Sequence, residues 1–264
     1  MSQAMFDLRA DPLTISLPDP GARLMSLHVI IQDHFNPLLA YRPCRHELTE
    51  DGACTRYVLI CVRTTTNAAS AEDIEAVHRL QDAIGAQQRD RGTLDLPSCD
   101  PASLSVVRDS LLVHSKGVPD TRRTFGLPGE VDRIRHLAAA FSCGGQSEKN
   151  AYSLNVATQP NDGTTVHRLR MKDEPVHGYW SITGYNEKGF MEKNYQNFHT
   201  INSFSAHADA RGEMLIQFGG CDGSVRNATP IMRGWNYLVR LCRVRPEALD
   251  GSWIFPRAQT IEGV

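Results

Sequence analysis

Apolar residues along this chain recur first every second position, then with a helical period, then every second position again. That grouping constrains the fold more than any other feature. "PLTISLPDPGARLMSLHVIIQDHF" reads as two strands around the turn "PDPG", whose prolines and glycine supply the fixed and permissive backbone angles a turn needs. "HELTEDGACTRYVLICVRT" reads as a second hairpin bending at Asp51 and Gly52. The period then lengthens. Ser70 with Glu72 and Asp73 resembles a capping box, and Ile74, Val77, Leu80, Ala83 and Ile84 trace one face of a helix expected to end near Gly92. Asp100 and Pro101 open a second helix with Gly117 just beyond its end, and a third is expected from about Glu130 to Phe141. From Ala151 the alternating segments "AYSLNVAT", "VHRLRMKD", "GYWSITGYN", "EMLIQFGG" and "NYLVRLCRVR" are separated by turn sequences such as "NDG", "NEKG" and "CDG". Strands, then helices, then strands predict a mostly β (α+β) chain with two sheet regions joined by a helical segment, not an alternating βαβ protein.

With 28 Lys plus Arg against 30 Asp plus Glu, the formal net charge of the 264 residues is −2, and neither sign forms a block. A nucleic-acid or acidic-membrane partner is therefore not expected. The start "MSQAMFDLRADPLTISL" lacks a basic segment followed by an apolar run, and no stretch approaches eighteen uninterrupted apolar residues, so a soluble, cytoplasmic protein is expected. The seven cysteines show no C-x-x-C spacing, which fits a reduced compartment, with Cys44 and Cys54 read as two unpaired thiols across "TEDGA".

Several longer segments are familiar: "FDLRADPLTISLPDPGARLMSLHVIIQDHF", "TRYVLICVRT" with "AVHRLQDAI", "GGQSEKNAYSLNV", "PVHGYWSITGYNEKGF", "FGGCDG" and "GWNYLVRLCRVRPEALDGSWIFP". Together, from Phe6 to Pro256, they resemble the bacterial two-domain family of unknown function 1254 and 1214. The resemblance implies jelly-roll-like β-sandwich domains, with residues 1–118 forming a 1254-like N-terminal region and 119–264 a 1214-like C-terminal sandwich. It supplies no catalytic residues. Members usually carry a helical region and an "NRDTLYS"-like strand ahead of the segment matching Phe6, where "MSQAM" stands in this sequence.

The candidate site residues come from pattern. Alternation along "LMSLHVIIQDHF" puts Asp33 on the face of Met25, Leu27, Val29 and Ile31, and a buried carboxylate suits a general acid or base. The opposite face carries His28, Gln32 and His34, without the third ligand a metal site needs. "GGQSEKNAYSL" gathers Glu148, Lys149 and Tyr152 where the third helix gives way to a strand, with His136 on that helix as a further candidate. In "GYWSITGYN", Trp180 shares a face with Ile182, while Tyr179, Ser181, Thr183 and Tyr185 form a polar and aromatic face suited to a sugar or another amphipathic ligand. Trp235 and Tyr237 repeat the pattern, and Trp253 is read as pinning the C-terminal segment onto the core.

In "FGGCDG" the Asp222 charge disfavours a Cys221 thiolate, and the glycines satisfy the angles of a turn. Cys221 is therefore read as a turn residue that can line a cleft. No P-loop, G-x-G-x-x-G, H-E-x-x-H or G-x-S-x-G is present, so no cofactor and no metal are expected. Two functions compete. One is a metal-free enzyme carrying out hydrolysis, elimination or isomerisation of a small molecule in a cleft between the two β regions, with Asp33, Glu148 and Lys149 catalytic. The other is a non-catalytic β-sandwich protein that binds a carbohydrate or small ligand through His34, Tyr152, Tyr179, Trp180, Tyr185, Cys221 and Trp235, or that contacts a partner subunit in a homo-oligomer.

Overall fold

The computed structural model describes residues 1–67, 70–141, 144–196 and 198–261. The chain is mostly β and divides into two compact units, Met1–Val118 with Arg123–Ser147, and Pro119–Arg122 with Glu148–Val264. The segment that carries the third helix, which a boundary at 118/119 assigns to the C-terminal region, thus belongs with the first unit, while Pro119–Arg122 belongs with the second.

The first unit contains strands β1 (Ser2–Asp7), β2 (Leu13–Leu17), β3 (Met25–Ile31), β4 (Leu38–Ala40), β5 (Cys44–Leu48), β6 (Tyr57–Thr64) and β7 (Gly85–Gln87). Its helices are α1 (Glu50–Ala53), α2 (Ala71–Asp82), α3 (Pro101–Ser115) and α4 (Arg133–Ala138). One sheet has the order β1-β6-β3-β4 and the other β5-β2-β7. The "PDPG" turn is therefore a crossing between sheets, and the expected hairpin of β5 with β6 does not form: β5 pairs β2, whereas β6 pairs β1 and β3. The reason lies in burial. Leu13, Ile15 and Leu17 of β2 join Leu27, Val29, Val58, Ile60 and Val62 in one aliphatic core, and two strands of a single hairpin cannot face each other across such a layer.

Helix α2 begins as expected, with the Ser70 side chain accepting from the Asp73 amide, but ends at Asp82, ten residues before Gly92. Strand β7 takes over at Gly85, where a Cβ would lie 2.3 Å from the Ser16 hydroxyl of β2, so a larger residue there would require the Ser16 side chain to turn away. Asp100 caps α3 through the Ala102 and Ser103 amides, with Pro101 in the first turn. The third helix is shorter than expected: Asp132 caps α4, and a 3-10 turn over Ala139–Phe141 follows.

The second unit contains β8 (Ala151–Ala157), β9 (His167–Met171), β10 (Trp180–Tyr185), β11 (Thr200–Asn202), β12 (Met214–Phe218), β13 (Asn227–Thr229), β14 (Asn236–Cys242), helix α5 (Glu247–Asp250) and β15 (Gln259–Thr260). Its sheets have the orders β11-β10-β14-β8 and β13-β12-β9-β15. All pairs are antiparallel except β12 with β13. The two-residue alternation of β14, with Tyr237, Val239 and Leu241 buried, sets the inner face. Its register puts Tyr152, Leu154 and Val156 of β8 and Trp180 and Ile182 of β10 on the same face, opposite Leu169, Ile216 and Phe218 of the other sheet.

Candidate functional site

The sequence candidates separate on inspection. Asp33 is not a buried member of a strand face. Strand β3 ends at Ile31, His34 takes a left-handed φ of 63°, and the turn turns the Asp33 side chain to solvent while its carbonyl accepts from His136 Nε2 at 2.8 Å. The alternation argument failed because a tight turn breaks the two-residue period. His34 is half-buried with Nδ1 unpartnered, and burial followed by the His136 charge pushes it below the usual histidine range. His28 is fully buried with neither ring nitrogen in a well-formed hydrogen bond, and desolvation followed by the Arg63 charge, against the opposing influence of the nearby Asn36 amide, lowers it to about 4. His136 stacks on Phe35 and bonds the Thr124 carbonyl. Among the described residues no group of three or more His, Cys, Asp or Glu is arranged to hold a metal ion.

In the second unit, Trp180 and Trp235 are core residues, 4% and 1% exposed, and present no face to a ligand. Trp235 stacks with Phe218 at 5.0 Å, and Phe218 with Tyr237 at 4.8 Å. Tyr179 and Tyr185 lie on the outer face of their sheet, as alternation predicts. The Tyr185 hydroxyl accepts from Arg240 at 3.0 Å, burial raises Tyr179, and between them Ser181 and Thr183 are buried, Thr183 bonding Thr200. Cys221 sits in a loop of left-handed glycines, Gly219, Gly220 and Gly223, held by the buried Gln217 amide, which donates to the Gly219 and Gly220 carbonyls at 3.1 and 2.9 Å. Burial raises its thiol, with the Tyr195 hydroxyl opposing and the Asp222 charge adding to the rise. That is the reverse of what a nucleophile needs.

Glu148 is half-buried and Lys149 exposed, and both precede Tyr152, which is 5% exposed on the inner face. Here a groove opens. Its volume is about 630 Å³, and it runs along β8 from Tyr152 to Gln159, between the Pro119–Arg122 segment and the chain from Ala248 to Ala258. The first wall lies along the edge of β8, joined to it by a single antiparallel bridge between Asp120 and Leu154. The Asn155 amide donates to the Pro119 carbonyl at 3.0 Å, and Thr121 to the Ser153 carbonyl at 3.1 Å. Within it, Asp120 fixes the Arg122 guanidinium through Nε and a terminal nitrogen, raising its affinity for the proton, and the Tyr152 ring and the Glu148 charge act in the same direction. The second wall begins where α5 stops at Gly251, whose φ of 87° turns the chain, and the Trp253 amide returns to the Glu247 carbonyl. This turn brings Trp253, Ile254 and Phe255 to the groove, Trp253 and Phe255 edge to face at 5.9 Å, with Ile254 83% exposed.

Of the site candidates put forward from the sequence only Tyr152 lines this groove, together with Trp253, which the sequence reading assigned to pinning the C-terminal segment onto the core. Arg122, Thr158 and Arg257 were missed, since no periodicity or motif marks them. The usable signal was "LDGSWIFPR", an aromatic cluster beside an arginine immediately after a helix-ending glycine.

A two-unit, mostly β protein with a mixed aromatic and cationic groove in its C-terminal sandwich is the class that fold and site define. Residues 151–244, within the second unit, match the family described as "Protein of unknown function (DUF1214)". No curated protein matches the sequence. Among solved structures the chain is similar to the VPA0106 protein from Vibrio parahaemolyticus, with 14% identity and a TM-score of 0.74 over 98% of this chain and 88% of that one. It is also similar to an uncharacterised protein from Burkholderia cenocepacia, with 12% identity and a TM-score of 0.52 over 98% of this chain and 75% of that one. At these identities the likeness is one of fold alone.

Proposed function

We propose that the protein is a small-ligand-binding β-sandwich protein whose second unit takes an amphipathic organic molecule in the groove beside β8, without itself transforming it. The observation that carries this reading is the groove's lining. Aromatic and aliphatic surface from Trp253, Ile254, Phe255 and Leu154 lies against amide and guanidinium donors in a volume of about 630 Å³, within the range of small-molecule sites. Acid/base chemistry is not carried forward, because its argument began from a buried Asp33 and that side chain is exposed. The cytoplasmic assignment is retained as part of the proposal, supported by the lack of any disulfide among the described cysteines. No helix among the described residues is long and apolar enough to cross a membrane.

A thermal-shift screen of small amphipathic molecules tests the reading. A ligand present at about a hundred times its Kd stabilises the folded state by about 2.7 kcal/mol. Leu154→Arg, at a half-buried position on the groove wall, should abolish the shift for each hit. Hits that stabilise this variant as well as the parent would bind elsewhere and sink the assignment.

A further inference from the structure

We infer that the groove selects an anion, specifically a carboxylate carried on a flat apolar body, and that Arg257 is the residue that reads the charge; the inference rests on the ligand-binding reading of the second unit. The lining includes two arginines, Arg122 and Arg257, and no aspartate or glutamate. The two cations differ. Arg122 is engaged by Asp120 at 2.5 Å, so its charge is largely answered within the protein. Arg257 is exposed, forms no ion pair among the described residues, and stands two positions after Phe255.

Arg257 also acts on the groove's surroundings. The hydroxyl of Tyr237 is buried beneath the same chain segment without a hydrogen bond, and burial pushes it up to about 12 against the opposing influence of the Ala258 backbone and the Arg257 charge. On the β8 side, Thr158 is 6% exposed, lines the groove, and has a hydroxyl with no hydrogen-bond partner. A cation in no ion pair among the described residues beside apolar surface matches a ligand whose apolar body covers Ile254 and Trp253 while its carboxylate meets Arg257. A guanidinium recognises a carboxylate with two parallel N–H donors, which a neutral amide cannot accept in the same way.

The experiment uses the full chain and matched pairs of probes: 3-phenylpropionate with 3-phenylpropionamide, indole-3-acetate with indole-3-acetamide, and octanoate with octanamide. Binding is followed by chemical-shift changes of the amides of residues 152–158 and 253–258. The acids are expected to bind at least about tenfold more tightly than their amides, a margin that should shrink with salt. Arg257→Gln should remove the margin and leave amide affinity unchanged, and Arg257→Lys should restore part of it. Equal binding of acid and amide at these residues would overturn the anion assignment while leaving the groove as a ligand site. Absence of any shift there with all six probes would overturn the groove reading and the anion assignment together. A margin that survives Arg257→Gln would overturn the role given to Arg257.

Discussion

The two units solve the same problem, closing two sheets over a core, with different materials. In the first, the buried core side chains are aliphatic, with Leu13, Ile15, Leu27, Val29, Val58 and Ile60 interlocking between the sheets. In the second, large rings fill the layer, with Trp180, Trp235, Tyr237 and Phe218 among the most buried residues. The charged groups differ as well. Arg56 of the first unit binds Asp7 through Nε and a terminal nitrogen at 3.1 and 2.8 Å and Asp95 at 2.9 Å, and Arg23, Arg89 and Arg9 each pair with an acid. These cations fasten loops to strand β1, to helices α1 and α2 and to one another. In the second unit Arg122 and Arg170 likewise pair with acids, but Arg257, in no ion pair among the described residues, stands beside the half-buried Trp253 and Phe255 and the exposed Ile254. The difference teaches where to look for function: polar groups already answered by the fold hold it together, and those left unanswered next to apolar surface can meet something else.

The largest test of this contrast is a deletion in each core. Trp235→Ala should cost about 3–5 kcal/mol, because it removes a ring that stacks on Phe218 and touches Tyr237 and His167. Leu27→Ala, equally buried, should cost about 2–5 kcal/mol. Urea unfolding followed by circular dichroism measures both. A loss under about 1 kcal/mol for Trp235→Ala would mean that the aromatic layer is not what holds the second unit closed.

The next test concerns the exception in the first unit, His28, a buried polar group without a well-formed hydrogen bond. Its folded-state value of about 4 lies below the ordinary 6.5, so the unfolded chain takes up the proton first as pH falls. The stabilisation is fully present above about pH 6.5 and is lost progressively between there and about pH 4, amounting to about 3 kcal/mol for a displacement of this size. His28→Leu should flatten that part of the stability profile and be neutral or stabilising at pH 7, since it removes two nitrogens in no well-formed hydrogen bond. If the profile keeps its slope in the variant, other groups carry the acid sensitivity.

These cases also mark how far the sequence could be read. The fold class, the five long strands of the second unit and the caps at Ser70 and Asp100 follow from local chemistry, periodicity and side-chain oxygens aimed at the first free amides, and such signals lie within a few residues of their effect. Strand partnership does not. Strand β6 could have paired with β5 by turn chemistry alone, and what decided against it was burial between sheets, a property of residues forty positions apart. The same limit governs the site. Tyr152 was visible because it sits with Glu148 and Lys149 where a helix gives way to a strand, whereas Arg122 and Arg257 reach one groove from segments 135 residues apart, and only the aromatic cluster beside Arg257 leaves a local signal.

A smaller effect is expected at Thr158. Its buried hydroxyl has no partner, so Thr158→Val, nearly the same shape, should change stability by less than about 1 kcal/mol. If the groove is the ligand site, the same variant should weaken a bound acid found by titration, so that affinity moves while stability does not. A stability loss of about 2 kcal/mol or more would instead reveal an internal hydrogen bond, and Thr158 would join the answered groups of the comparison.

The smallest effect is expected at Cys221, read from the sequence as a turn residue and found in a loop of left-handed glycines. The residue occupies a loop shaped by Gly219, Gly220 and Gly223, and Gln217, itself held by Arg168 at 2.9 Å, ties the loop back to β12. The Gln217 contacts do not use the sulfur, and the Tyr195 hydroxyl, although it also acts on the thiol, donates to the Cys221 carbonyl, which any residue supplies. Cys221→Ala should therefore shift stability by less than about 0.5 kcal/mol and leave ligand affinity within about twofold. The thiol itself is half-buried and its proton is held more tightly than usual, so an alkylating reagent at pH 7.5 should modify the exposed Cys54 and Cys99 first. Mass spectrometry of the partially labelled chain orders the sites. Preferential labelling of Cys221 would mean that a base or cation reaches the loop and lowers its thiol, and the FGGCDG segment would then become a reactive site comparable in interest to the groove.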